Sequence, residues 1–426
     1  MTSYFAWLDY SEKDRRTMLD VVSAFGEQTT RDELGLGTVR DAFADLLFPG
    51  TSTIQTRARY FLFIPWIYRQ VEAQKAGRRG ARRAGGLVAD MAREQELRLV
   101  EALAASDDTE GTIGGRARGN LKRLPSSVYW QGLQRWGVLR HRGSISQYHQ
   151  AVERAANSRD DPTPDSDQER ANPAPPRFWH AGLPEPPPDF LRRSSFRLTR
   201  HEADYLRERV MSTAPDTMLA FLVSHGASPS SISRPWLHPL CGQLPASIRE
   251  TLAHARNFSE VMHGAAILYN LLLAEKTGRD AWIDQYTAMF QDWSEKIDGR
   301  RAALLGWDRH QRFWAIVGES GANVSMKTAA FVREWLTLAL EADTPATLAT
   351  DEVARSLVEK QEQALKRQLS RLKNHHALEL WNGDAGAGAA QYVYRWPTVQ
   401  ALLNDILHGL GDNDDEQVSE SYGDGF

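Results

Sequence analysis

At 426 residues, 42% hydrophobic and 25% charged, the chain can build two or three domains with real cores, and wholesale disorder is excluded. A single cysteine, Cys241, excludes a disulfide framework and any cysteine-based zinc site, and no apolar run approaches the ~20 residues of a membrane span. The net charge of −4 alone does not suggest a nucleic-acid partner, and the N-terminus lacks the basic and apolar regions of a signal peptide, so a cytoplasmic location is expected.

The predicted elements are mainly helical. Ser11 with Asp14, and Thr30 with Glu33, have the spacing of capping boxes. Thr38 can cap a helix from Val39 to Phe48, which Pro49-Gly50 stops. Helices over 55–74 and 90–104 follow, with Pro65 expected to kink or split the first. A short helix over 126–136, ended by Gly137, precedes a basic strand and turn over 138–145, a pairing that resembles a winged-helix unit.

Residues 157–189 hold nine of the nineteen prolines together with Asp160, Asp161, Asp165 and Asp167, and read as a linker or long surface loop. It divides a basic N-terminal module, 1–156, from a helical C-terminal module, 190–410. The second module opens with another capping box, Thr199 and Glu202, and continues with helices over 245–255, 259–277, 279–297, 327–341 and 351–372. Two aromatic, β-branched runs, 376–381 and 391–396, flank a Gly/Ala loop and predict a β-hairpin before an acidic tail, 411–426.

Charge is unevenly distributed. From Gly111 to Val152 there is no Asp or Glu, while Arg116, Arg118, Lys122, Arg123, Arg135, Arg140 and Arg142 are all cationic. Regional charge sets the field that a phosphate backbone feels. Within this stretch Lys122, Arg123, Tyr129, Trp130 and Arg135 interleave cations with aromatics, as a stacking or wedge surface beside phosphate contacts would.

The densest constellation spans Arg40 to Tyr68. Asp41 and Asp45 are four apart and share a helix face. Thr51, Ser52 and Thr53 would open the next helix and offer a phosphate seat, with Gln55, Arg57, Arg59 and Tyr60 following. The structural alternative is a core helix whose arginines pair with the two aspartates. In the second module Glu260 and His263 could touch and form an acid–base pair, or a structural one. No HExxH, P-loop, GxSxG or Cys/His cluster occurs, so no metal and no cofactor is expected.

The segments Tyr4-Phe-Ala-Trp-Leu-Asp-Tyr-Ser, Arg31-Asp-Glu-Leu-Gly-Leu-Gly-Thr-Val-Arg-Asp-Ala-Phe-Ala-Asp and Phe48-Pro-Gly-Thr-Ser-Thr-Ile-Gln-Thr-Arg-Ala-Arg-Tyr-Phe resemble a bacterial family of unknown function encoded near phage-defence genes. The resemblance runs the length of the chain and extends to anti-phage DNA glycosylases that excise glucosylated hydroxymethylcytosine. Gln55-Thr56-Arg57 is similar to the Gln-x-Asp or Gln-x-Gln pair of bacterial glycosylases built from tandem winged helices, but Arg57 departs at the second position. What the resemblance implies is hydrolysis of an N-glycosidic bond in double-stranded phage DNA, leaving an abasic site. Asp45, or else Asp41, would be the carboxylate, Gln55 would position water or base, and Tyr129 or Trp130 would fill the gap left by the flipped base. A pocket near Glu260 and His263 would take the bulky base. Two other readings keep the same residues: a non-catalytic DNA-binding or sensor subunit, and a helical scaffold that docks an acidic protein.

Overall fold

The computed structural model describes residues 32–77, 87–115, 123–157, 177–226 and 232–411. In chain order the α-helices are α1 (Gly37–Leu47), α2 (Tyr60–Gly77), α3 (Val88–Ala104), α4 (Pro125–Arg135), α5 (Ile145–Asn157), α6 (Arg200–Thr213) and α7 (Met218–His225). They continue as α8 (Ala246–Thr277), α9 (Asp280–Gly299), α10 (Arg301–Leu305), α11 (Arg312–Glu319), α12 (Met326–Glu341), α13 (Glu352–Lys366), α14 (His375–Glu379) and α15 (Trp396–Gly411). The helical character expected from sequence is therefore observed. None of these helices is long and apolar enough to cross a membrane.

The chain divides into two compact units, both discontinuous in sequence. One takes the chain up to Phe43 together with Thr251–Tyr392; the other takes Ala44–Glu250 together with the chain from Val393. The proline-rich stretch therefore does not separate the units, because both its flanks belong to the second one. Of that stretch, Trp179 and Leu183 are buried, so its last part is held by core contacts that composition alone does not reveal.

In the second unit α2 is the central element. Residues Tyr60 to Tyr68, Pro65 aside, are at most 1% exposed on every face, and Trp136 stacks on Phe61 with ring centres 3.9 Å apart. Pro65 neither splits nor ends this helix: it lies in the second turn of an unbroken Tyr60–Gly77. Apolar burial on all sides outweighs the hydrogen bond that proline removes. α6 starts with the capping box expected of it. Thr199 Oγ1 accepts from Glu202 N at 3.2 Å, and a Glu202 carboxylate oxygen accepts from Thr199 N at 3.0 Å.

Two local expectations fail for identifiable reasons. Thr38 does not cap α1; Asp32 does, accepting from Leu36 N at 2.9 Å and Gly37 N at 2.7 Å. The helix expected from Gln55 begins only at Tyr60, because Thr51 to Arg59 is a tightly bonded loop. In it Gln55 donates to Gly50 O at 3.1 Å and accepts from Ser52 N at 3.1 Å, while Trp136 Nε1 donates to Pro49 O at 2.9 Å. A Cβ on Gly132 would stand 2.5 Å from Gly50 O and 2.9 Å from Gln55 Nε2. Gly132→Ala is accordingly expected to destabilise the protein by about 1–3 kcal/mol in urea denaturation. A loss under about 0.5 kcal/mol would show that the loop yields freely.

The winged-helix and hairpin elements are corrected. Among the described residues no β-strand forms; Leu139 and Trp179 make one isolated antiparallel bridge where a strand and turn over 138–145 were expected, and Ile145–Asn157 is a helix. His375–Glu379, in the first unit, is helical, and Tyr394 and Arg395, which stand at the start of the last segment of the second, have φ of 51° and 63° and break any extended run before Trp396. The segment 387–392 finds its partners on α8 instead. Asn270 accepts from Ala387 N at 2.6 Å and donates to Ala387 O at 2.9 Å, His263 Nε2 meets Ala389 O at 2.9 Å, and Ser259 donates to Tyr392 O at 2.7 Å. Three side chains from one stripe of a helix thus satisfy backbone that would otherwise need a second strand. α8 itself is one continuous helix of 32 residues rather than the two expected.

Candidate functional site

Most of the residues that sequence reasoning marked for nucleic acid are engaged within the protein. Arg57 is bracketed by Asp405 at 3.0 Å and Asp108 at 2.9 Å. Arg59 is buried against Glu202 at 2.7 Å. Tyr129, fully buried, accepts from Thr56 N at 2.8 Å and Arg57 N at 3.0 Å and donates to Arg57 O at 2.9 Å. Tyr60 accepts from Ile113 N at 2.9 Å, and Trp130 donates to Gly143 O at 3.0 Å. Gln55 is the loop clasp already described. These groups fix a loop; they do not face a solvent cleft.

The carboxylates are likewise paired. Asp41 is bonded to Arg40 at 3.0 Å, and the exposed Asp45 to Arg395 at 2.6 Å. Thr53, Arg123 and Arg135 are exposed, as are Arg140 and Arg142, and Lys122 lies outside the described residues. In the first unit Glu260 is held by Arg256 at 2.8 Å and by Arg300, while His263 serves Ala389.

A different carboxyl has the properties of a reactive group. Glu96 lies on the apolar stripe of α3 with Ala92, Leu99, Val100 and Leu103, and is 0% exposed. Its Oε2 accepts from Ser126 N, at the start of α4, at 2.8 Å, and Tyr68 Oη stands 3.5 Å from Oε1. Burial pushes the carboxyl up to about 7, against the opposing pull of Ser126, Tyr68 and Arg93. It is therefore balanced between acid and base at neutral pH.

Glu96 borders a cavity of about 170 Å³ whose other walls include Tyr68, Arg93, Ser126, Ser127 and His149. The His149 ring lies parallel to Tyr68 with centres 5.8 Å apart, and its buried Nε2 has no hydrogen-bond partner among the described residues. Burial holds His149 below its ordinary pKa, with Glu153 pulling the other way, so the ring is neutral and able to accept or donate one bond. The volume resembles that of an engineered protein cavity that holds one benzene ring. The space is thus of one-ring size, and Glu96 lies behind its wall with no exposed surface of its own.

The signal for Glu96 was present in the sequence: one carboxylate on an otherwise apolar helical stripe. Its tuning depends on Ser126, thirty residues away, and on Tyr68, and so could not be read there.

Stability should report this carboxyl. Between pH 4.5 and about 7 the folded state keeps the Glu96 proton that the unfolded chain has released. The raised pKa thus favours the fold at low pH, and that contribution is lost as pH rises through 7. Wild type is expected to lose roughly 3 kcal/mol between pH 4.5 and 8 relative to Glu96→Gln, measured by urea denaturation of both proteins. Parallel pH profiles would refute the assignment.

No curated protein and no solved structure matches the chain. A family model does match, over residues 2–409, and on that evidence the chain belongs to DUF6361, a family of unknown function.

Proposed function

We propose that the protein is a DNA glycosylase acting on a modified cytosine of viral DNA, with Glu96 as its acid–base carboxyl. The observation that carries the reading is the fully buried Glu96 at the wall of a one-ring cavity, beside His149. Breaking an N-glycosidic bond develops positive charge on the sugar and negative charge on the leaving base. A protonated Glu96 would give its proton to the base as the C1′–N1 bond breaks. The resulting carboxylate would take a proton from the water whose oxygen bonds to C1′, restoring the acid. His149, whose buried Nε2 has no partner among the described residues, would bond a pyrimidine edge, with the buried Tyr68 and Ser126 backing the wall behind it. A glucose carried by the base would have to lie outside a space of about 170 Å³. No metal enters this scheme.

Supporting the nucleic-acid partner, Arg123, Arg135, Arg140 and Arg142 are exposed within the acid-free stretch. The test is incubation with DNA containing glucosylated hydroxymethylcytosine, followed by mass spectrometry of released bases and alkaline cleavage at abasic sites. Absence of both products would end the glycosylase reading.

The same exposed arginines favour one rival, a non-catalytic DNA-binding or sensor subunit in a phage-defence system. In that case Glu96 is only the acceptor for the α4 amide of Ser126. Salt-sensitive DNA binding without base release would select it.

A further inference from the structure

The cavity in front of Glu96 has a floor and a rim of different character. Tyr68, Ala92 and Ser126 form the floor with Glu96 behind them, and none of the four is more than 2% exposed. The rim is Ala89, Arg93, Leu124, Ser127, Ile145 and His149, all partly or fully exposed. A space of about 170 Å³ takes one ring and leaves no room for the sugar and phosphate attached to it. Whatever is joined to a ring in this cavity therefore lies against the rim.

Among the described residues of the rim, Arg93 is the one that carries a full charge. Burial keeps His149 neutral, and the remaining rim side chains do not ionise. Arg93 stands three residues before Glu96 on α3, so the two share a helix face, with Arg93 half-buried where Glu96 is covered. In the protonated state that donates to a leaving base Glu96 has no charge, and the cavity then presents the positive charge of Arg93 alone. The acids flanking it on α3 and α5 are matched elsewhere, Glu94 with Arg98 at 2.7 Å and Glu153 with Lys75 at 3.0 Å, while the exposed Asp90 is not part of the wall. The exposed Arg123 directly precedes the rim residue Leu124, so positive charge continues beyond Arg93. A guanidinium in a partly desolvated place gains most from an anion, because its planar fork bonds two phosphate oxygens at once.

We propose that Arg93 binds a phosphate flanking the extruded nucleotide and so holds the glycosidic bond at the mouth of the cavity while the base is inside. This contact rests on the glycosylase reading above and adds a substrate-binding residue to it. A glucose on the base is uncharged and gives the guanidinium no such partner, so Arg93 acts on the strand and not on the modification.

The test uses the full chain and duplexes with one glucosylated hydroxymethylcytosine, in which the phosphate on one side or the other of that nucleotide is replaced by a neutral methylphosphonate. Single-turnover base release is measured at about pH 5.5, where Glu96 is protonated with or without Arg93. At the contacted position the methylphosphonate is expected to raise the half-saturating concentration of wild type about tenfold and to leave the plateau rate within about threefold. Arg93→Gln should show the same loss on ordinary DNA and no further loss with the methylphosphonate, and Arg93→Lys should recover part of it. The change in the DNA leaves the protein unaltered, so a folding defect in Arg93→Gln cannot imitate it. Methylphosphonates that cost wild type nothing on either side overturn the proposal. So does a methylphosphonate that costs Arg93→Gln as much as it costs wild type, as a contact from Arg93 to the glucose would give. No base release by wild type from any duplex removes the glycosylase reading and this contact with it, whereas base release that is insensitive to Arg93 removes the contact alone.

Discussion

Glu96→Gln is expected to slow base release by roughly 10²–10⁴-fold while leaving DNA affinity within about twofold. Glutamine keeps the shape and can still accept from Ser126 N, which Glu96 holds at 2.8 Å, but it cannot carry the proton. The wild-type rate should be high where Glu96 is protonated and fall about tenfold per pH unit above its pKa of about 7. The variant's residual rate should not show that limb. Single-turnover kinetics on both proteins between pH 5 and 9 makes the measurement. A Gln variant as fast as wild type would remove Glu96 from the chemistry, even if base release itself were real.

The second large effect concerns Arg59, whose residue type and neighbours suggest a phosphate contact. In the structure its side chain is 8% exposed and that of its partner Glu202 is 5%. Arg59 also donates to Ser195 O at 3.0 Å and packs over Phe63 and Trp66. Arg59→Met leaves a buried carboxylate without its cation, and a loss of about 3–5 kcal/mol in unfolding free energy is expected. Adding Glu202→Gln should recover most of it, because glutamine can still accept from the Thr199 amide while carrying no charge. Stability within about 1 kcal/mol of wild type, coupled with weaker DNA binding, would instead return Arg59 to the phosphate-contacting role.

The parts of the fold that depend on neighbours a few residues away were legible. The helices followed from periodicity and stop signals, and the Thr199–Glu202 box capped α6 as its spacing required. What failed depended on distant partners. Asp45 looks available until Arg395, 350 residues on, is folded against it. The runs around the Gly/Ala loop have strand composition, but Asn270, His263 and Ser259 take up their backbone groups first. Aromatic residues interleaved with cations were read as a wedge; Tyr129 and Trp130 point inward, and the exposed Arg123 and Arg135 share only their stretch of sequence. Charge asymmetry survives as a surface property, whereas the identity of a reactive carboxyl required a measure of burial.

Arg57 takes its ion-pair partner Asp405 from 348 residues further along, and α15, which bears that aspartate, packs on α6 through Gly409, Ala203 and Leu198. During synthesis on the ribosome, the loop that carries Arg57 emerges long before the helix that neutralises it. Until α15 is made, the apolar face of α6 and a half-paired arginine remain uncovered. The second unit therefore closes late and all at once, and nascent chains stalled ahead of α15 should be the form that chaperones and proteases meet.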